Sequence, residues 1–229
     1  MNCGRLKMKG LRLAALLSFN GGFVDTAGFL GLQGLFTAHV TGNFVTLAAT
    51  LVLGTHGAIA KLLALPEFVL VVALARVGGA ALRAAGLPAL PILLTVKVCF
   101  LLAFFVLAVA LGPFPDSDAP PALLTGFAGI AGMAIQNAVQ RVHFPSLPPT
   151  TLMTGNTTQA VLDAVDLIRG VESENPQTER ARFARMLRGI IWFAAGCAAA
   201  AVLYYWIGFW CLALPVAVGA ATAIWHGEN

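Results

Sequence analysis

Two short polar words interrupt an otherwise apolar chain, Thr41-Gly42-Asn43 and Thr154-Gly155-Asn156. They stand 113 residues apart in a chain of 229, and the segments that carry them, 37–43 and 150–156, share a pattern. Each Asn opens a polar series. Asn43, Thr46 and Thr50 are matched at the same displacement by Asn156, Gln159 and Asp163, with Asp166 one turn further. Steps of three and four residues place such positions on one face of a helix. Thr41 and Thr154 are natural N-cap positions, and the adjacent Gly permits close backbone approach. The chemistry on offer is recognition of a polar or anionic group by the free N–H groups of a helix start, helped by the Asn43 and Asn156 amides. The competing reading is a cap packed against its twin, since Thr and Gly are ordinary packing residues between membrane helices.

Three more residues stand out. Asp25 is an ionisable group inside an apolar run, which is expensive in a bilayer and points to function. It is either proton-linked or the partner of Arg76 or Lys97, the other formal charges well inside the long apolar runs. Gln136 and Asn137 lie in a second apolar run. With one inserted residue, Asn137 falls opposite Asp25, and both amides suit interhelical hydrogen bonds. His39 and His143 have no second ligand at metal spacing. No nucleophile elbow, His-Glu-x-x-His helix or phosphate loop is present, so the sequence predicts neither an enzyme nor a metal or cofactor site.

Composition explains what must hold these residues. Hydrophobic residues make up 59% of the chain and charged ones 10%, against about 25% charged in soluble domains. Mean hydropathy is +0.84. This is an integral membrane protein, and its first partner is the lipid bilayer. The net charge of +4 is no nucleic-acid footprint, because the basic residues gather at 5–12 and 169–188 as cytoplasmic ends of spans do. The four cysteines form no disulfide or zinc pattern.

A spanning helix needs about 20 apolar residues. Runs at 11–32, 66–83, 92–111, 122–141, 187–207 and 208–225 qualify, Pro66-Glu67 reading as a helix start. The helices opened by the two motifs, 41–53 and 154–169, are short: 13 residues reach about 20 Å. Pro145, Pro148 and Pro149 make 142–153 extended, and residues 170–182 read as charged and solvated. The chain therefore divides into two membrane repeats, 1–115 and 116–229.

Two topologies follow. Either both short helices cross, giving eight spans in two parallel four-span halves, or both dip in and return. The second gives an all-α protein of two inverted repeats, each three spans plus one re-entrant half-helix. With a cytoplasmic N-terminus, it puts Arg83, Arg141 and 169–188 inside and the Asp116/Asp118 loop outside. The eight-span arrangement puts Arg83 and Arg141 outside. The distribution of positive charge favours re-entry.

The stretch from Gly22 to Asn43, with Gly132-Met-Ala-Ile-Gln-Asn137 and Thr151-x-Met-Thr-Gly-Asn156, resembles the YoaK-like family of bacterial multi-spanning membrane proteins. The resemblance covers essentially the whole chain. It implies an inner-membrane protein and no activity, the family being a domain of unknown function. Motif residues match at Asp25, Thr41, Gly42, Asn43, Gln136, Asn137, Thr154 and Gly155.

The functional expectation is a transporter or channel-like protein that binds a small polar or anionic solute near mid-membrane. The binding set would be Thr41, Gly42, Asn43, Thr154, Gly155, Asn156, Asp25, Gln136 and Asn137. The alternative is a sensor or assembly partner in which the duplicated motif is packing glue. A homo-oligomer is compatible with either.

Overall fold

The computed structural model describes residues 2–170 and 176–227, with side chains described over 11–170 and 177–224. The predicted solvated segment at 170–182 thus falls partly outside the described residues. The described chain is mostly helical: α1 (Asn2–Gly31), α2 (Gly42–Leu53), α3 (Ala58–Ala84), α4 (Ala89–Leu111), α5 (Pro120–His143), α6 (Met153–Arg169), α7 (Pro176–Ile207) and α8 (Ala213–Gly227). A 3-10 turn, Gly208–Leu212, joins the last two. Five stretches are long and apolar enough to cross a membrane, the last being the 48-residue run Gln177–Ile224.

Burial sorts the helices into a centre and a rim. The most apolar windows of α1 and α5 are 67% and 72% buried, while those of α3 and α4 are 22% and 33% buried. The exposed residues of α3 and α4 include Val69, Leu70, Leu74, Val77, Leu102 and Val106. An apolar outer face is what a bilayer accepts. The inner helices are glycine-rich because backbones must approach closely there. At the α1–α7 crossing, a Cβ on Gly22 or Gly196 would collide with the carbonyl oxygens of Phe193 and Phe19. Gly31 meets Tyr204 further along, so α1 and α7 run in parallel.

Other contacts fix the remaining directions. Phe104 packs on Gly129 and Leu101 on Gly132, so α4 and α5 are antiparallel. Gly31 and Gly112 both meet Phe209, while Asn20 lies beside Pro215 and Gly219, so α8 returns along α1 and α4. The reversal is made at Gly208, whose φ of +57° is open to glycine at little cost. The 48-residue run is therefore two antiparallel helices. That agrees with separate predicted runs at 187–207 and 208–225.

Two expectations about helix starts are corrected. Pro66 lies inside α3, not at its start. The helix begins earlier because the Asp118 carboxylate accepts from the backbone N–H of Gly57 (3.1 Å) and Ala60 (2.9 Å), a cap delivered by the loop between α4 and α5. Thr41 and Thr154 do not cap. Thr41 makes no side-chain cap bond, and α6 begins at Met153, so Thr154 is already helical.

Candidate functional site

Two irregular segments enter the helical body, each held at both ends by polar side chains. The first leaves α1 through Gln33 and Gly34, both at positive φ (54° and 80°), and runs to Thr41. Its backbone would lack partners in an apolar interior, a cost of several kcal/mol per group. Asp25, on α1, accepts from the N–H of Ala38 (2.7 Å) and His39 (3.2 Å). Asn43, on α2, exchanges two bonds with Phe36: its Oδ1 accepts from the Phe36 N–H and its Nδ2 donates to the Phe36 carbonyl, both at 2.9 Å. The expected partnership of Asp25 with Arg76 or Lys97 is not formed. Its hydrogen bonds come from backbone amides, which solvate the carboxylate without a second buried charge. Ion pairs form elsewhere, at His56–Asp116 and Arg182–Asp163.

The second segment, between α5 and α6, is built from the same parts. Gln140 donates to the carbonyls of Phe144 (3.3 Å) and Leu147 (2.9 Å) as it leaves the helix. Asn137 Oδ1 accepts from the Thr151 hydroxyl at 2.7 Å, the role Asp25 plays toward Ala38 and His39. Asn156 Nδ2 donates to the Pro149 carbonyl at 2.8 Å. Pro149 stands at the repeat position of Phe36, and having no N–H it returns no bond. Gln136 Nε2 ties the segment to α1, donating to Leu17 O at 2.8 Å and Thr150 Oγ1 at 3.2 Å.

Further along each short helix the correspondence continues. Thr50 accepts from Lys61 Nζ at 2.8 Å, and Asp163 accepts from Arg182 Nε at 2.9 Å and from its terminal nitrogen at 2.6 Å. These Arg182 bonds hold the Asp163 carboxyl below its ordinary range, with a smaller contribution from Gln159.

Both segments pack on the α1–α5 pair. Thr37 lies against Gly28 and Gly129, and Thr150 and Thr151 against Gly21. The structure thus brings Asp25, Asn43, Gln136, Asn137 and Asn156 to the two segments. It does not bring the Thr-Gly-Asn motifs to each other. No Cα of α2 comes within 8 Å of one in α6. Thr41, Thr154 and Gly155 are exposed, and Gly42 packs on Phe36 and His39 of its own segment.

A family model described as "Protein of unknown function (DUF1275)" matches residues 13–225, both segments included. The chain belongs to this family. Comparison with curated proteins and with solved structures gave no match.

One more feature of this DUF1275 chain completes the site. Among the described residues, seven buried side-chain polar atoms have no hydrogen-bond partner; besides Glu67 Oε2, Ser117 Oγ and His143 Nε2 they are Asn20 Oδ1, Thr37 Oγ1, Lys97 Nζ and Gln136 Oε1, these four on residues with 0% exposure. Native proteins rarely leave such atoms unpaired. Sequence alone offers Lys97 only as a partner for Asp25, while Asn20 and Thr37 are single polar residues in an apolar run and a repeated stretch. Their burial needs the tertiary packing of α1, α4 and α5.

Proposed function

We propose that the protein is a non-enzymatic transporter or channel-like protein handling a small polar or anionic solute near mid-membrane, at the α1–α5 pair between the two irregular segments. The observation that carries this reading is the pair of irregular segments inside the helical body, each anchored by side chains from two helices. Irregular backbone at membrane depth is tolerated where it is buried in protein or lines a polar path. Paired broken elements of this kind are how inverted-repeat transporters build solute sites.

The reading takes 1–115 and 116–229 as inverted repeats of three spans and one re-entrant half-helix, with a cytoplasmic N-terminus in a plasma (inner) membrane. Exchanging α1 with α5, α2 with α6, α3 with α7 and α4 with α8 turns every α-helix contact except α3–α4 into another that exists. The α1–α7 contact becomes α5–α3, α2–α3 becomes α6–α7, and α4–α5 becomes α8–α1. Both ends of the first excursion also touch one loop: Gln33 donates to Phe114 O, and Gly57 to Asp118. A helix pair that leaves and returns on one side supports re-entry over crossing.

The second reading, a non-transporting sensor or assembly partner, is favoured by the Asn43 and Asn156 amides, which are occupied in pinning their own segments. Flux into proteoliposomes separates the two. The expected result is saturable uptake of at least one class among small carboxylates, phosphate, sugars and amino acids, falling at least tenfold in a folded Asn43→Ala/Asn156→Ala variant. Absence of uptake for all four classes by folded wild-type protein selects the second reading.

A further inference from the structure

We infer that Lys97, Asn20 and Gln136 form a binding site for a small carboxylate that also carries a hydroxyl or amino donor. The inference deepens the transport reading and rests on it only for the route by which the ligand arrives.

The packing register places the three side chains together. Along the antiparallel α4–α5 contact, Phe104 meets Gly129 and Leu101 meets Gly132. One more turn back along α4 reaches Lys97, and the matching turn forward along α5 reaches Gln136. On α8, Gly219 touches both Val98 and Leu101 of α4 and the Asn20 side chain of α1. Gln136 is bonded to Leu17, one turn from Asn20. The α1, α4, α5 and α8 helices therefore present Asn20, Lys97 and Gln136 at one depth, with glycine at 21, 132 and 219 beside them.

The chemistry of the free atoms defines the ligand. Asn20 Nδ2 donates to Pro215 O at 3.1 Å and Gln136 Nε2 to Leu17 O at 2.8 Å, so each amide is fixed with its oxygen as the unpaired end. Lys97 Nζ has no hydrogen-bond partner in the protein. A lysine held charged in an apolar interior calls for a counter-charge. The site therefore offers donors to an anion at one point and two acceptors beside it. A bare inorganic anion satisfies Lys97 alone. A hydroxy- or amino-carboxylate satisfies all three, its carboxylate on Lys97 and its O–H or N–H on the amide oxygens. Asp25, five residues from Asn20 on α1, has its carboxylate engaged by the amides of Ala38 and His39.

The test is calorimetric titration of the purified full chain in detergent with lactate and serine, using acetate as the carboxylate without a donor. Wild type is expected to bind lactate or serine saturably and at least tenfold more tightly than acetate. Lys97→Met should lose that binding at least tenfold. Asn20→Leu and Gln136→Leu should erase the preference over acetate while keeping carboxylate binding. Should Lys97→Met fail to fold, the wild-type preference and the two amide variants still decide. No saturable binding of lactate or serine to wild type, or binding indifferent to Lys97→Met, overturns the site. Binding without flux leaves the site standing and removes the transport reading; flux without Lys97-dependent binding does the reverse.

Discussion

Asn43 and Asn156 occupy equivalent places and make unequal bonds, because the residue seven positions back is Phe in one copy and Pro in the other. A buried hydrogen bond contributes about 1 kcal/mol net. Asn43→Ala is therefore expected to destabilise more than Asn156→Ala by about 1 kcal/mol, measured by unfolding in mixed micelles. Equal losses would mean that the Phe36 amide finds another partner. Asp163 gives a second test at this scale. Its carboxyl is held low by Arg182, so the contribution of the pair is complete above the ordinary value of 3.8 and is lost as pH falls through the lower folded value. The stability gap between wild type and Asp163→Asn should stay constant from about pH 8 to 5 and close only in stronger acid. A gap that closes by pH 5 would contradict this. Arg182 is 40% exposed, so solvent screening keeps the gap modest.

Among the helices, glycine marks where backbone meets backbone. Gly22→Val and Gly196→Val should each cost at least about 1–3 kcal/mol, because the obstruction is a carbonyl of the facing helix that no rotamer change relieves. Gly78 has open space around it, and Gly78→Ala should stabilise α3 by roughly 0.5–1 kcal/mol. Thermal melting of the three variants checks the contrast. Re-entry of the short helices is tested by single cysteines at Thr55, Pro115 and Arg169 on a background without native cysteines. Thr55 and Pro115 are expected to label from outside intact cells, and Arg169 only after permeabilisation. Protection of both Thr55 and Pro115 would mean that α2 crosses. Pro115 is the probe in this loop because the Ser117 side chain is buried. Helix starts were the least legible elements. The α3 cap comes from Asp118, 61 residues from Gly57, and no local pattern at Pro66 announces it.

At the scale of the whole molecule, what could be read early was what repeats. The 113-residue displacement that pairs Asn43 with Asn156 also pairs Phe36 with Pro149, the two carbonyls those amides hold. Asn137 falls opposite Asp25 in both sequence and geometry. Hidden from the sequence was convergence: Val98 on α4 and Asn20 on α1 both meet Gly219 of α8, and composition marks Asn20 and the adjacent Lys97 merely as polar interruptions. The same topology has a consequence for how the protein is made. Asp25 finds its amides 13 residues later, almost as it leaves the ribosome. Asn20 waits for Pro215, 195 residues away, which at 5–20 residues per second is about 10–40 s of synthesis. The partner α7 for the glycine face of α1 is also among the last helices made. For that interval the first helix sits in lipid with a polar face unanswered, so assembly is a race between translation of the last two helices and the quality control that removes unpaired ones.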